Sequence, residues 1–149
     1  MAALIMLVTA FYNLWTLRPV RILYVDSLQG LSVDIVVDHL PWTDKDRIKW
    51  YLEHKKMLQM KYPVFTENTS RIVFFEAGAG FVSFRENPHE DLRCFEDIKS
   101  EKRCIPKDIA LVVNVDAPGI VDFITDFSGT TYQILGEGNI ETKPGWKSP

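Results

Sequence analysis

The stretch Arg93-Cys94-Phe95-Glu96-Asp97-Ile98-Lys99-Ser100-Glu101-Lys102-Arg103-Cys104-Ile105-Pro106-Lys107-Asp108 holds both cysteines of the chain. How they are read decides architecture and compartment together. A disulfide needs its two Cα atoms within about 7 Å. A turn or a short helix-turn across the nine intervening residues meets that condition. Those residues are mostly charged and cannot bury themselves, so a cross-link would stabilise a polar excursion by roughly 3 kcal/mol. A Cys94–Cys104 disulfide is the expected reading. Two unrelated free thiols, or a metal or catalytic role, are the alternatives. Two cysteines without a CxxC make a poor zinc site, and His89 completes no standard ligand spacing. A catalytic cysteine needs a histidine partner, whereas His39, His54 and His89 all read as exposed polar residues. No catalytic, cofactor-binding or metal residue is assigned, and no cofactor is expected.

Upstream of the cysteines, Val20–Ser27 (VRILYVDS) reads as a strand and Leu28-Gln29-Gly30 as a turn. Ser32–Asp38 (SVDIVVD) alternates polar and apolar residues like a half-buried strand, so the two make a hairpin. Asp26, Asp34 and Asp38 then fall on faces that meet water. Thr43 caps a helix over Asp44–Lys61, with Asp44 and Asp46 in its first turn. Ile48, Tyr51, Leu52 and Leu58 form its apolar stripe, and Pro63 ends it. Lys45, Lys49, Lys55, Lys56 and Lys61 make the rest basic. That face reads first as solvated, and Lys49, Lys55 and Lys56 as candidate contacts for a partner or lipid. Arg71–Glu76 and Phe81–Arg85, around Ala77-Gly78-Ala79-Gly80, read as a second hairpin. The glycines match no phosphate loop, because neither a GxxxxGK[ST] nor a following helix is present.

Downstream, Ile109–Val115 and Val121–Phe127 pair across Ala117-Pro118-Gly119. Thr131–Leu135 and Asn139–Thr142 pair across Gly136-Glu137-Gly138. The expected fold is α+β: an N-terminal membrane helix, then an antiparallel sheet of about six to eight strands with one long helix packed on it. The expected division is an anchor over 1–19, a folded domain over 20–142 and a flexible tail over 143–149.

Met1–Leu17 (MAALIMLVTAFYNLWTL) contains no charged side chain. As a helix it is roughly 25 Å long, slightly short of the roughly 20 residues a bilayer core needs. Tyr12, Trp15 and Arg18 suit a membrane interface, and Pro19 stops the helix. A cleaved signal peptide lacks its basic n-region and cleavage site here. A buried core helix would show a polar face. A single membrane anchor through residues 1–17 is the favoured reading.

After Arg21 the chain carries fifteen basic against twenty acidic residues, a balance of −5. That excludes the basic face nucleic acid would require, and no small-molecule substrate is evident. The pair Arg18 and Arg21 would by itself place the domain in the cytoplasm. The disulfide points instead to an oxidising compartment, which for an anchored bacterial protein is the periplasm. The expected placement is therefore the inner membrane, single-pass, with the C-terminal domain in the periplasm.

One resemblance can be drawn on particular residues. Leu17-Arg18-Pro19-Val20, Leu40-Pro41-Trp42-Thr43-Asp44-Lys45, Ile48-Lys49-Trp50-Tyr51-Leu52, Leu92–Lys99 and Cys104–Asp108 together resemble the small enterobacterial membrane proteins grouped as domain-of-unknown-function family 943. The resemblance covers roughly 14–115 and implies a single N-terminal span and no known enzyme activity. The chain departs from that pattern in lacking a basic lead before the span. The functional expectation is a tethered periplasmic protein-binding domain of immunity type, neutralising an antibacterial toxin. The alternative is an envelope structural or assembly component touching an inner-membrane complex or lipid, and an enzyme is not expected.

Overall fold

The computed structural model describes residues 1–117, 120–125, 130–135 and 139–143. In chain order the elements are α1 (Ala2–Leu17), β1 (Ile22–Leu28), β2 (Ser32–Val37), α2 (Asp44–Lys61), β3 (Arg71–Glu76), β4 (Val82–Ser83), β5 (Leu92–Cys94), β6 (Lys102–Pro106), β7 (Ile109–Ala117), β8 (Ile120–Ile124), β9 (Thr131–Leu135) and β10 (Asn139–Lys143). The turns expected at 117–119 and 136–138, the end of the strand expected over 121–127 and the tail after 143 lie wholly or partly outside the described residues.

The fold is α+β, with a seven-stranded sheet in the order β1-β2-β3-β7-β8-β9-β10. It is not antiparallel throughout. β1 and β2 form the expected hairpin, but β2 and β3 run parallel, Val33 opposite Ile72 and Ile35 opposite Phe74. A parallel pair needs a crossover, and α2 provides it. The expected hairpin of 71–76 with 81–85 does not form. β3 leaves the turn at Gly78 and Gly80, both at positive φ. The chain then enters a separate three-stranded sheet of order β4-β6-β5.

Three layers result. On one face of the large sheet, Ile48, Tyr51 and Leu58 of α2 pack on Val33, Ile35, Ile72, Phe74, Leu111, Val113 and Phe123. The Thr43 side chain accepts from the Asp46 N–H, and Asp44 and Asp46 sit in the first turn, as the sequence predicts. On the other face, Val36, Val73, Phe75 and Val112 meet Phe95 and Ile105 from the small sheet. Strands buried on both faces read as continuous apolar runs rather than alternating ones. This explains Ile35-Val36-Val37 and Ile72–Phe75, all of them buried, and it corrects the half-buried reading of β2.

The acidic residues of the first hairpin do not simply meet water either. Asp26 and Asp34 stand directly opposite each other across β1 and β2. Arg93 of β5 reaches over both, 2.9 Å from Asp34 and 3.7 Å from Asp26. Asp38 is buried.

Candidate functional site

Two places concentrate chemistry, the disulfide hairpin and the root of α1. β5 and β6 pair antiparallel with Cys94 directly opposite Cys104. Their Cα atoms are 4.0 Å apart and the two are joined by a disulfide. The cross-link closes a strand pair rather than a solvated excursion. Cys104, Ile105 and Phe95 are all buried, so the hairpin is a lid on the second core. The charged residues between the cysteines remain outside. Arg85, Glu96, Lys99, Glu101 and Arg103 line an open groove of about 490 Å³ beside the exposed Phe84.

The root of α1 brings together residues that the sequence keeps apart. Residues 1–11 are exposed throughout. At Tyr12 the helix meets the domain, its hydroxyl donating a short hydrogen bond to the Asp46 carboxylate. Trp15 packs edge-on to His39, ring centroids 5.4 Å apart, and lies 5.6 Å from Trp42. The Arg18 guanidinium sits 4.6 Å over the Trp15 ring. His39 is only 2% exposed, against the expectation of a solvated residue. Its Nδ1 lies 2.9 Å from the Asp38 carboxylate and its Nε2 lies 3.1 Å from the Arg18 carbonyl. The Arg21 guanidinium and backbone N–H both donate to Asp38.

These contacts set the local electrostatics. The Tyr12 hydroxyl, the Thr43 side chain and the nearby Lys49 ammonium hold the Asp46 carboxyl below its ordinary value, outweighing partial burial. Burial raises the Asp38 carboxyl, but hydrogen bonds from Arg21 and His39 outweigh it and lower the group. Deeper in the core, burial pushes the Tyr51 hydroxyl up to about 12.

Tyr12, Trp15 and Arg18 are thus gathered on one side of the helix, against the domain. Lys49 lies one turn past Asp46, beside them. Lys56 follows Lys49 by two turns on the same stripe of α2, while six residues of helix rotate Lys55 about 120° away. The three lysines therefore do not form one surface. The sequence marks His39 as a surface polar residue and Asp46 as a first-turn acid of α2, but signals no contact of either, or of Trp42, with α1. The Leu40-Pro41-Trp42-Thr43 segment announces a strand end and a helix cap, and nothing local signals that another helix lands on it.

Among the described residues no group of three or more His, Cys, Asp or Glu side chains is placed to hold a metal ion. No helix among them is long and apolar enough to cross a membrane. Comparison with protein families matches residues 1–143 to the family described as "Enterobacterial putative membrane protein", domain-of-unknown-function family 943. The chain belongs to that family, and the match extends the resemblance over roughly 14–115 to the whole of α1 and to β10. Comparison with curated proteins and with solved structures gives no match.

Proposed function

We propose that the protein is a membrane-held binding domain: α1 anchors it in the bacterial inner membrane, and the disulfide-braced α+β body captures a protein partner in the periplasm. The observation that carries this reading is α1 itself. A helix that exposes Leu4, Ile5, Met6, Leu7, Val8 and Phe11 on every side has no stable place in water, because exposed apolar patches of this extent mark an interaction surface. The disulfide supports an oxidising compartment. The groove beside the hairpin, lined by both signs of charge, suits a protein surface.

Within this reading the partner is a toxin arriving in the envelope, which the domain neutralises. The small domain's acidic balance and its tether support that role. An envelope assembly component is the second reading, favoured by the exposed Lys45 and Lys49 on either side of Asp46 at the root of α1.

Membrane flotation of the full chain, followed by protease accessibility in spheroplasts, tests placement. The domain should be cleaved from outside the inner membrane, and protection there would refute the periplasmic assignment. Co-purification with the product of a neighbouring gene tests the partner. If cells lacking the protein survive that product unharmed, the immunity role fails.

A further inference from the structure

We infer that the surface formed by Trp42, Lys45 and Lys49 rests in the phospholipid headgroup layer, so that the domain sits flush on the membrane instead of swinging from a tether. The inference rests on α1 being membrane-inserted and adds the depth and the contacting side chains.

Depth follows from one hydrogen bond. Tyr12 donates to the carboxylate of Asp46, and an ionised carboxylate does not enter hydrocarbon without a large penalty. On the side facing the domain, the hydrocarbon therefore ends no further along α1 than Tyr12. Residues 1–11, about 16 Å of helix exposed on all sides, lie beyond it, so the described part of α1 enters the hydrocarbon without crossing it. Whatever else on the domain stands level with Tyr12 stands at headgroup depth.

Trp42 does so, its ring centroid 6.1 Å from that of Tyr12. It is 52% exposed, which is unusual for so large an apolar ring in water but ordinary at an interface, where tryptophan is enriched. Lys45 and Lys49 flank Asp46 in the first turns of α2, and both are exposed. The nearby carboxylates each hold a hydrogen-bond partner within the protein, and Asp46 also feels the Lys49 ammonium. Asp46 takes the Tyr12 hydroxyl, Asp44 takes the Tyr132 hydroxyl at 2.7 Å, and Asp38 takes Arg21. No carboxylate among the described residues lies within ion-pair distance of Arg18, Lys45 or Lys49. Lys45 and Lys49 on either side of Asp46, with the amphipathic Trp42 ring beside Tyr12, complement anionic phosphodiesters, each lysine adding about 1 kcal/mol at such a surface.

The joint is also fixed. Tyr12, Trp15 and Arg18 are each held by the domain, so the helix cannot pivot without breaking all three. Lys55 is rotated off this face, which makes it an internal reference.

The test uses the full chain in vesicles of phosphatidylcholine and phosphatidylglycerol. Flotation first establishes insertion, and a chain that does not float refutes the anchor itself. In floated vesicles, a membrane-impermeant amine reagent is read lysine by lysine by mass spectrometry. Lys45 and Lys49 should be labelled several-fold less, relative to Lys55 and Lys99, than in neutral detergent micelles. Equal ratios in the two media overturn the proposal while leaving the anchor standing. Independently, W42F should remove a fluorescence component that lipids brominated near the glycerol quench more than lipids brominated near the chain ends. A component that stays bright in both overturns it as well.

Discussion

Removing the disulfide is the sharpest perturbation of this fold, because its magnitude can be worked from the structure. Cys94 and Cys104 are 10 residues apart in sequence, and releasing a loop of that length gives the unfolded chain entropy worth about 3 kcal/mol. The strand pairing that places them opposite each other survives in the folded state, so the loss falls on the unfolded side. Against a typical total of roughly 5–15 kcal/mol this is a large fraction. For a chain of this size it corresponds to a fall in Tm of about 6–12 °C.

The assay is thermal unfolding by circular dichroism, comparing oxidised protein, reduced protein and the double variant C94A/C104A. Because Phe95 and Ile105 pack on the second core, amide exchange should accelerate across Leu92–Pro106 more than in β3. If reduced and oxidised protein melt within about 2 °C of each other, the loop-entropy argument fails. If exchange rises uniformly instead, the hairpin is not the separable lid described above.

Further outcomes follow from individual contacts. F95A should destabilise by about 3–5 kcal/mol in urea unfolding, the cost of emptying a buried aromatic site; a cost below about 1 kcal/mol would restore the solvated reading of the hairpin. Asp38 has a lowered carboxyl, so its contribution is present above about pH 4 and is lost as pH falls through the folded value. D38N should therefore cost about 1–2 kcal/mol at neutral pH and progressively less in acid, read from urea midpoints across that range. Tyr51 is raised to about 12, so stability is complete below its ordinary value of 10.0 and falls as pH rises through the folded value. Y51F should unfold at higher pH than the parent in an alkaline titration. R93A leaves two facing carboxylates uncompensated, but Arg93 is half-exposed and screened, so the expected loss is only about 1 kcal/mol and should shrink in salt.

Much of the architecture is legible in the sequence, and the misreadings have definite causes. The first hairpin, α2 with its Thr43 cap, and the strand nature of 71–76, 109–115 and 131–135 follow from local pattern. The parallel pairing of β2 with β3 does not follow from it. Two strands around a glycine-containing turn look like a hairpin when read locally. What lies on the far face of the sheet decides against it, and Phe95 and Ile105 arrive there from many residues downstream. The signal was present in the unbroken runs Ile35-Val36-Val37 and Ile72–Phe75, which no half-buried strand requires. The site divides in the same way. The disulfide is the expected reading of spacing and charge, but the buried strand pair that carries it is not legible there. The placement of Tyr12 and Trp15 on Asp46, His39 and Trp42 depends on where α1 lands, and no periodicity encodes that.

The salt link between Arg93 and Asp34 has a further consequence, for alignment. A strand with one wet face cannot slide by a residue, because every apolar side chain would turn outward. β2, greasy on both faces beyond Asp34, lacks that protection: a slip would merely exchange one apolar surface for another. Asp34 is the exception in its middle, facing the small sheet where Arg93 waits. A one-residue slip would drive that carboxylate into the helix-side core with nothing to receive it. A single ion pair of modest energetic worth thus acts as a key that admits only one sliding position of the central strands.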